Sequence, residues 1–252
     1  MRRIHFFGFV LILSVLVLAG CSGSNKGEPS EAPNGGTSKP DDSNASGTKP
    51  APKTIPDSLL TDGALYLGAP FEKSLQYEVK GLPAGPASGS QEIEVVEVTD
   101  TKAVISAKWT GGLVALGSQK FEITPNGVTQ VETEGQKMTP PVLYLPAKIG
   151  IGTNWSNDTK IEQLQTLENV TLTSKSKVVR EETVKTPAGD FTCFVVQETG
   201  KMKATDLDVN SEATYWIAKG VGLVKAKISQ KGKGPAGAIS VTLEINPIKP
   251  EG

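Results

Sequence analysis

Between Ile55 and Ile248 turn residues recur at short intervals, and that punctuation limits what the chain can fold into. Among its 252 residues are 27 glycines and 17 prolines. Both oppose long helices and mark strand ends, bulges and turns. The stretches between them alternate. Glu92-Ile93-Glu94-Val95 switches polar and apolar, Glu97-Val98 leads into Thr99-Asp100-Thr101, and Ala103 to Trp109 returns, the pattern of a hairpin. Phe121 to Thr124 enters Pro125-Asn126-Gly127 and Val128 to Glu132 leaves it, an Asn-Gly turn between two strands. Val170 to Val184 is a long Thr, Ser, Lys and Val stretch ending at Thr186-Pro187-Ala188-Gly189, with Phe191 to Glu198 as its hairpin partner. Ala213 to Ala218, Leu223 to Ser229 and Ile239 to Ile245 continue the series. Only Thr159 to Leu167 reads as a short helix.

The expected fold is therefore all-β: a strongly curved antiparallel sheet of about nine to eleven strands, half-barrel or barrel-like, with a β-sandwich as the alternative. No second polar linker divides residues 55–252, which are expected to form a single β-rich domain.

What precedes that domain reads as an address and a tether. Arg2 and Arg3 open the chain, an apolar run follows from Phe6 to Leu18, and Leu18-Ala19-Gly20-Cys21 ends it. A charged start, a short apolar core and small residues before a cut site make a secretory signal peptide over residues 1–20. A cysteine directly after Leu-Ala-Gly resembles a bacterial lipobox, in which Cys21 is acylated with diacylglycerol and becomes the mature N-terminus. A plain secreted protein and an uncleaved anchor helix are the alternatives. From Ser22 to Thr54 there is no Val, Ile, Leu, Met, Phe, Trp or Tyr. Residues 21–54 thus have nothing to bury and are expected to be a disordered tether, with a root-mean-square reach of about 30 Å.

Removing residues 1–20 takes away the only histidine, His5, and two of the three arginines, leaving Arg180. Without histidine, Ser-His-Asp and Cys-His catalysis and His-ligated zinc are excluded. Of the 26 basic residues 24 remain, against 27 acidic ones, with neither sign in a long block. A single arginine gives little support to phosphate or nucleic-acid recognition, so no nucleic-acid partner is expected. If Cys21 carries lipid, Cys193 has no partner in the chain. Within Phe191-Thr192-Cys193-Phe194-Val195-Val196 it reads as a small buried hydrophobe.

Three separated motifs stand out: Leu145-Pro146-Ala147-Lys148-Ile149-Gly150 with Trp155, then Thr186-Pro187-Ala188-Gly189-Asp190-Phe191, then Tyr215 to Lys225. Their order resembles a family of bacterial extracytoplasmic β-proteins, often lipoproteins, described as TapB-like or as domains of unknown function. The resemblance implies an extended, curved antiparallel sheet and carries over no catalytic residue. The glycines of the last motif, Gly220 and Gly222, suit a bend or bulge.

Other constellations favour structure over chemistry. Asp206, Asp208, Asn210 and Glu212 resemble the start of a calcium loop. Ser211 replaces its turn glycine, however, and Ile217 its final acid, so a polar strand face is the simpler account. Glu92, Glu94 and Glu97 invite a paired-carboxylate hydrolase reading, yet acids on one face of an alternating strand are ordinary. Trp109, Trp155 and Trp216 sit beside small or β-branched residues, as core anchors do. Lys175, Lys177 and Lys185 are expected to face solvent, and Gly111 to Gly117 to be a loop tucked onto the core. Neither a catalytic residue, nor a metal, nor a cofactor is implied. The expectation is a non-enzymatic lipoprotein on the extracytoplasmic side of the cell membrane, lipidated at Cys21. Its work would be binding or scaffolding, with an apolar ligand or an envelope protein as partner. A carboxylate-dependent hydrolase of envelope glycans is the rival.

Overall fold

The computed structural model describes residues 53–249. The leader, Cys21 and the tether up to residue 52 lie outside the described residues. Twelve strands follow one another: β1 (Gln76–Lys80), β2 (Ala87–Val98), β3 (Ala103–Trp109), β4 (Ser118–Thr124), β5 (Gly127–Thr133), β6 (Gln136–Pro146), β7 (Asn154–Leu164), β8 (Leu167–Thr186), β9 (Gly189–Ala204), β10 (Leu207–Ala218), β11 (Gly222–Gly234) and β12 (Gly237–Ile248). Each pairs antiparallel with its neighbour in sequence. Five-residue β1 pairs with β2 on one side and with β12 on the other, closing the sheet into a barrel. Closure removes the exposed edges that an open sheet would leave, and it rules out the sandwich.

Alternation along the strands decides what faces in. On β10, Leu207, Val209, Ser211, Ala213 and Ile217 are buried while Asp208, Asn210 and Glu212 are exposed, so the row of acids is a solvated face. Lys175, Lys177 and Lys185 are likewise exposed. A polar outside and an apolar inside are the arrangement of a barrel standing in water, the reverse of a lipid-facing barrel.

Two of the three apolar clusters line the interior and meet at Tyr215 and Leu223. One gathers Val142, Ile161, Val170, Met202, Val209 and Leu243. The other gathers Ile105, Phe121, Ile123, Leu145, Val196 and Ile217. Into the second the chain inserts its N-terminal segment, ending in a one-and-a-half-turn helix, α1 (Asp62–Leu67). The Thr61 hydroxyl accepts from the Ala64 amide at its start, and Gly68 ends it in a left-handed conformation (φ 112°). The plug fits closely. A β-carbon on Gly63 would meet the Pro146 carbonyl oxygen at 2.4 Å, and one on Gly222 (φ 88°) the Leu67 oxygen at 2.5 Å. Gly222 thus serves both as a bend and as the contact surface for α1. The Gly111–Leu116 segment is a 3-10 turn that buries Leu113 and Leu116, so it is tucked onto the core.

Twelve strands exceed the nine to eleven read from sequence, because β1, β6 and β7 carry weak signals. β6 contains Pro140 and Pro141, which cannot donate to a ladder. The helix expected over Thr159 to Leu167 is not there. Thr159 and Ile161 are buried while Lys160 and Glu162 are exposed, a period of two, and Gln165 (φ 55°) turns the chain from β7 into β8.

The prolines also weaken one seam. β6 and β7 share a single ladder pair, Thr139 with Lys160. The gap is bridged by a side chain: Asn157 Oδ1 accepts from the Leu143 amide at 2.9 Å, and its Nδ2 donates to the Leu143 oxygen at 3.1 Å and the Ser174 hydroxyl at 3.3 Å. The Thr159 hydroxyl donates to the Pro140 oxygen. Asn157→Ala should therefore lower stability by about 2–4 kcal/mol, since each lost bond is worth about 1 kcal/mol and the Leu143 groups stay half-buried without partners. Urea denaturation read by tryptophan fluorescence checks this; a midpoint within error of wild type would mean that the seam does not depend on Asn157.

Candidate functional site

Strand register assembles a polar lane on the inner face, between the two apolar clusters. One row runs Asn157, Ser174, Gly200, Ser211, Gln230 across β7 to β11. The next row toward the α1 end is Trp155, Ser176, Glu198, Ala213 and Ile228. Gly200 is needed there, because its β-carbon would lie 2.7 Å from the Ser211 hydroxyl oxygen. On β9 the sequence of inward side chains is Val196, Glu198, Gly200, Met202: apolar, acid, none, apolar.

Glu198 is the one acid buried among the described residues, at 5% exposure. The Ser176 hydroxyl donates to its Oε2 at 2.8 Å, and the Tyr215 phenol donates to it as well. Both bonds favour the ionised form, yet burial outweighs them and pushes the Glu198 carboxyl up to about 8. It is thus mostly protonated at neutral pH. Burial raises the Tyr215 phenol, and the neighbouring Glu198 raises it further. Tyr144, an extra residue in a bulge of β6 that re-aims its side chain, is pushed up to about 12 by burial, with Glu198 adding to the effect. Tyr144 packs on Phe121 with ring centres 5.0 Å apart, and Tyr77 meets Trp109 edge-on at 5.6 Å.

Several inward side chains are half-buried rather than fully buried. Tyr144, Tyr215, Trp155, Leu172 and Val241 belong to the inner rows or pack on the inner clusters, yet all keep accessible surface. A pocket of about 640 Å³ on β7, β8 and β9 belongs to the outer face: Asn154, Ser156, Lys175, Lys177, Gln197 and Thr199, which are exposed, supply most of its lining. Several inner polar atoms have no partner: both amide atoms of Gln130 and of Gln230, the Thr133 hydroxyl and the Trp109 indole nitrogen. Gln130 is fully buried and Gln230 is 2% exposed.

The residues singled out from sequence mostly lie elsewhere. Glu92, Glu94 and Glu97 are exposed on the outside of β2. Asp208 points outward and pairs with Lys201 at 3.0 Å, and among the described residues no group of acids is placed to share a metal. Cys193 is fully buried, with its thiol pushed up to about 11 by burial, and is a packing residue. Trp109 and Trp155 do anchor the interior. Trp216 does not: it stands on the outer face of β10, donates its indole N–H to Glu182, and lies under the Lys225 ammonium at 5.2 Å. Its even position in β10, opposite in phase to Tyr215 and Ile217, is the physical reason. Glu198, Tyr144, Gln130 and Gln230 went unread as a site. Each is one polar residue in an alternating strand, and only register brings Glu198, Ser176 and Gln230 together.

Glu198 makes stability depend on pH. The unfolded chain loses this proton near pH 4.5, the folded one near pH 8, so in between only the folded state holds it. Stability from this group is complete below about pH 4.5 and is lost as pH rises to about 8, a decline on the order of 4 kcal/mol. Glu198→Gln keeps a neutral hydrogen-bonding side chain and should flatten the decline, leaving the variant more stable than wild type at pH 8.5. Urea midpoints from pH 5 to 8.5 check it; parallel profiles for the two proteins would refute it.

Comparison with known proteins places this barrel in a sequence family. A structure described as an exported protein with a YmcC-like fold from Bacteroides fragilis aligns at 12% identity and a TM-score of 0.48, covering 71% of this chain and 95% of that one. A lipoprotein structure from Parabacteroides distasonis aligns at 12% identity and a TM-score of 0.41, over 70% and 93%. The lipoprotein YmcC from Escherichia coli aligns at 14% identity and a TM-score of 0.34, over 78% and 92%. No curated protein matches the sequence. Of the two descriptions the motifs pointed to, the TapB-like one is not matched; residues 85–237 match the domain of unknown function, and the chain belongs to the DUF3108-like family.

Proposed function

We propose that this chain is a non-enzymatic, lipid-anchored protein of the bacterial envelope whose barrel binds a ligand with an apolar body. The observation that carries this reading is the set of inward aromatic and aliphatic side chains, Tyr144, Tyr215, Trp155, Leu172 and Val241, that keep accessible surface within a closed wall. Eight strands enclose a space that side chains nearly fill, and diameter grows with strand number. Twelve strands leave more room, and small inner residues such as Ala213, Gly200 and Ser174 do not take it up. The lane itself supports binding over hydrolysis. A hydrolase of the two-carboxylate type needs a second acid across from the first, and Glu198 stands alone among the buried described residues.

Anchoring rests on Leu18-Ala19-Gly20-Cys21 and the basic, apolar run before it. A diacylglycerol thioether supplies two acyl chains, enough for stable attachment where one is marginal. The tether over residues 21–54 would then let the barrel stand about 30 Å from the bilayer on the extracytoplasmic side.

Two measurements test the reading. Cys21→Ser should abolish metabolic labelling by an alkyne fatty acid and leave a precursor that retains residues 1–20; undiminished labelling would remove the anchor. Full-length protein purified from membranes in detergent, then examined by native mass spectrometry and organic extraction, should release a small apolar compound in near-stoichiometric amount. Protein that carries no such compound and takes up no diphenylhexatriene would sink the binding role.

A further inference from the structure

The unpartnered amides of Gln130 and Gln230 say something about the ligand. A buried amide with neither its N–H nor its C=O bonded is destabilising, whereas an apolar side chain of the same shape in its place is not. Two such residues, each turned into the barrel and almost wholly buried, are expensive features for a wall whose other duty is packing. Gln230 is not isolated. Its row places Ser211 beside it and then Gly200, whose missing side chain leaves the Ser211 hydroxyl room, and the adjacent row carries Glu198 with Ser176. Donors and acceptors of every neutral type are therefore gathered in one inner strip with apolar clusters on both sides.

Cations are missing from that strip. Among the described residues no lysine or arginine is buried, so a carboxylate or phosphate entering the barrel would lose its water and gain no opposite charge. We propose that the polar end of the ligand is an uncharged hydrogen-bonding group, a hydroxyl, ester or glycerol-type head, seated on Gln230, Ser211 and the Glu198–Ser176–Tyr215 cluster, with the hydrocarbon running into the apolar clusters. This rests on the apolar-ligand role proposed above and narrows it to a neutral amphiphile. The protonated state of Glu198 below pH 8 agrees with it, since a neutral carboxyl both donates and accepts toward such a head.

Displacement of diphenylhexatriene from the full-length protein in detergent tests the idea with three probes of equal chain length: monoolein, oleate at pH 8.5, and oleylamine. Monoolein should displace the dye at least tenfold more effectively than either charged probe. Gln230→Leu should cut that preference at least fivefold and, by removing two unpartnered polar atoms, raise the urea midpoint, so that weakened binding cannot be put down to misfolding. Oleate or oleylamine competing as well as monoolein would overturn the uncharged head, and so would an unchanged preference in Gln230→Leu. A protein that takes up neither the dye nor any probe would instead defeat the apolar-ligand role on which this rests.

Discussion

Closure at β1 is the contact on which the rest of the molecule depends. Five residues, Gln76 to Lys80, satisfy β2 with one edge and β12 with the other. Without them the sheet would be an open half-barrel with two unpaired edges, and its inner face would be wetted along the whole seam. With them, every inward side chain shares one enclosed space. The burial of Glu198, the raised phenols and the unpartnered amides all follow from that enclosure. Tyr77, the second residue of β1, reinforces it by donating its phenol to the Leu223 carbonyl and stacking edge-on against Trp109. The barrel has one weak junction, β6 with β7, where Pro140 and Pro141 deny the ladder its donors and the Asn157 side chain stands in for it.

How much of this could be read from the chain depends on the range of the signal. Hairpins with explicit turn chemistry were legible: Thr99 to Thr101, Pro125-Asn126-Gly127 and Thr186 to Gly189 all join the strands they were expected to join. So were single-residue environments set by alternation, such as Cys193 buried and Lys175 exposed. Strands held by their neighbours more than by their own pattern were not. β1 is short, β6 carries two prolines, and β7 holds Lys160-Ile161-Glu162-Gln163-Leu164, whose spacing suits a helix until Val170 and Thr171 pair with it. Trp216 shows the same limit within one strand. Its size suggested a core anchor, but phase decides, and its phase is that of Asp208 and Glu212.

The inner lane was illegible for a stricter reason. Ser176, Glu198 and Ser211 are separated by 22 and 13 positions in the chain, and each sits in a strand that alternates as any amphipathic strand does. Nothing local distinguishes Glu198 from Glu182, which lies on the outside beside Arg180 and Trp216 with its carboxyl held below the ordinary range. The two acids differ only in the face their register gives them. One ends with its proton retained, the other without it.

Strand phase also separates two kinds of polar residue that composition treats as one. Outside, lysines and acids pair loosely in water, as Lys201 does with Asp208, where an exposed pair contributes little. Inside, a smaller set of uncharged or protonated groups is placed where each unmet hydrogen bond costs stability. A barrel selected for stability alone would fill that lane with leucine and valine, as in both clusters. On the proposed role, Gln230 and Glu198 trade folding stability for a strip able to hydrogen-bond to a ligand head. The apolar side chains around that strip would then exclude water, and exclusion of water is what makes a neutral donor or acceptor selective.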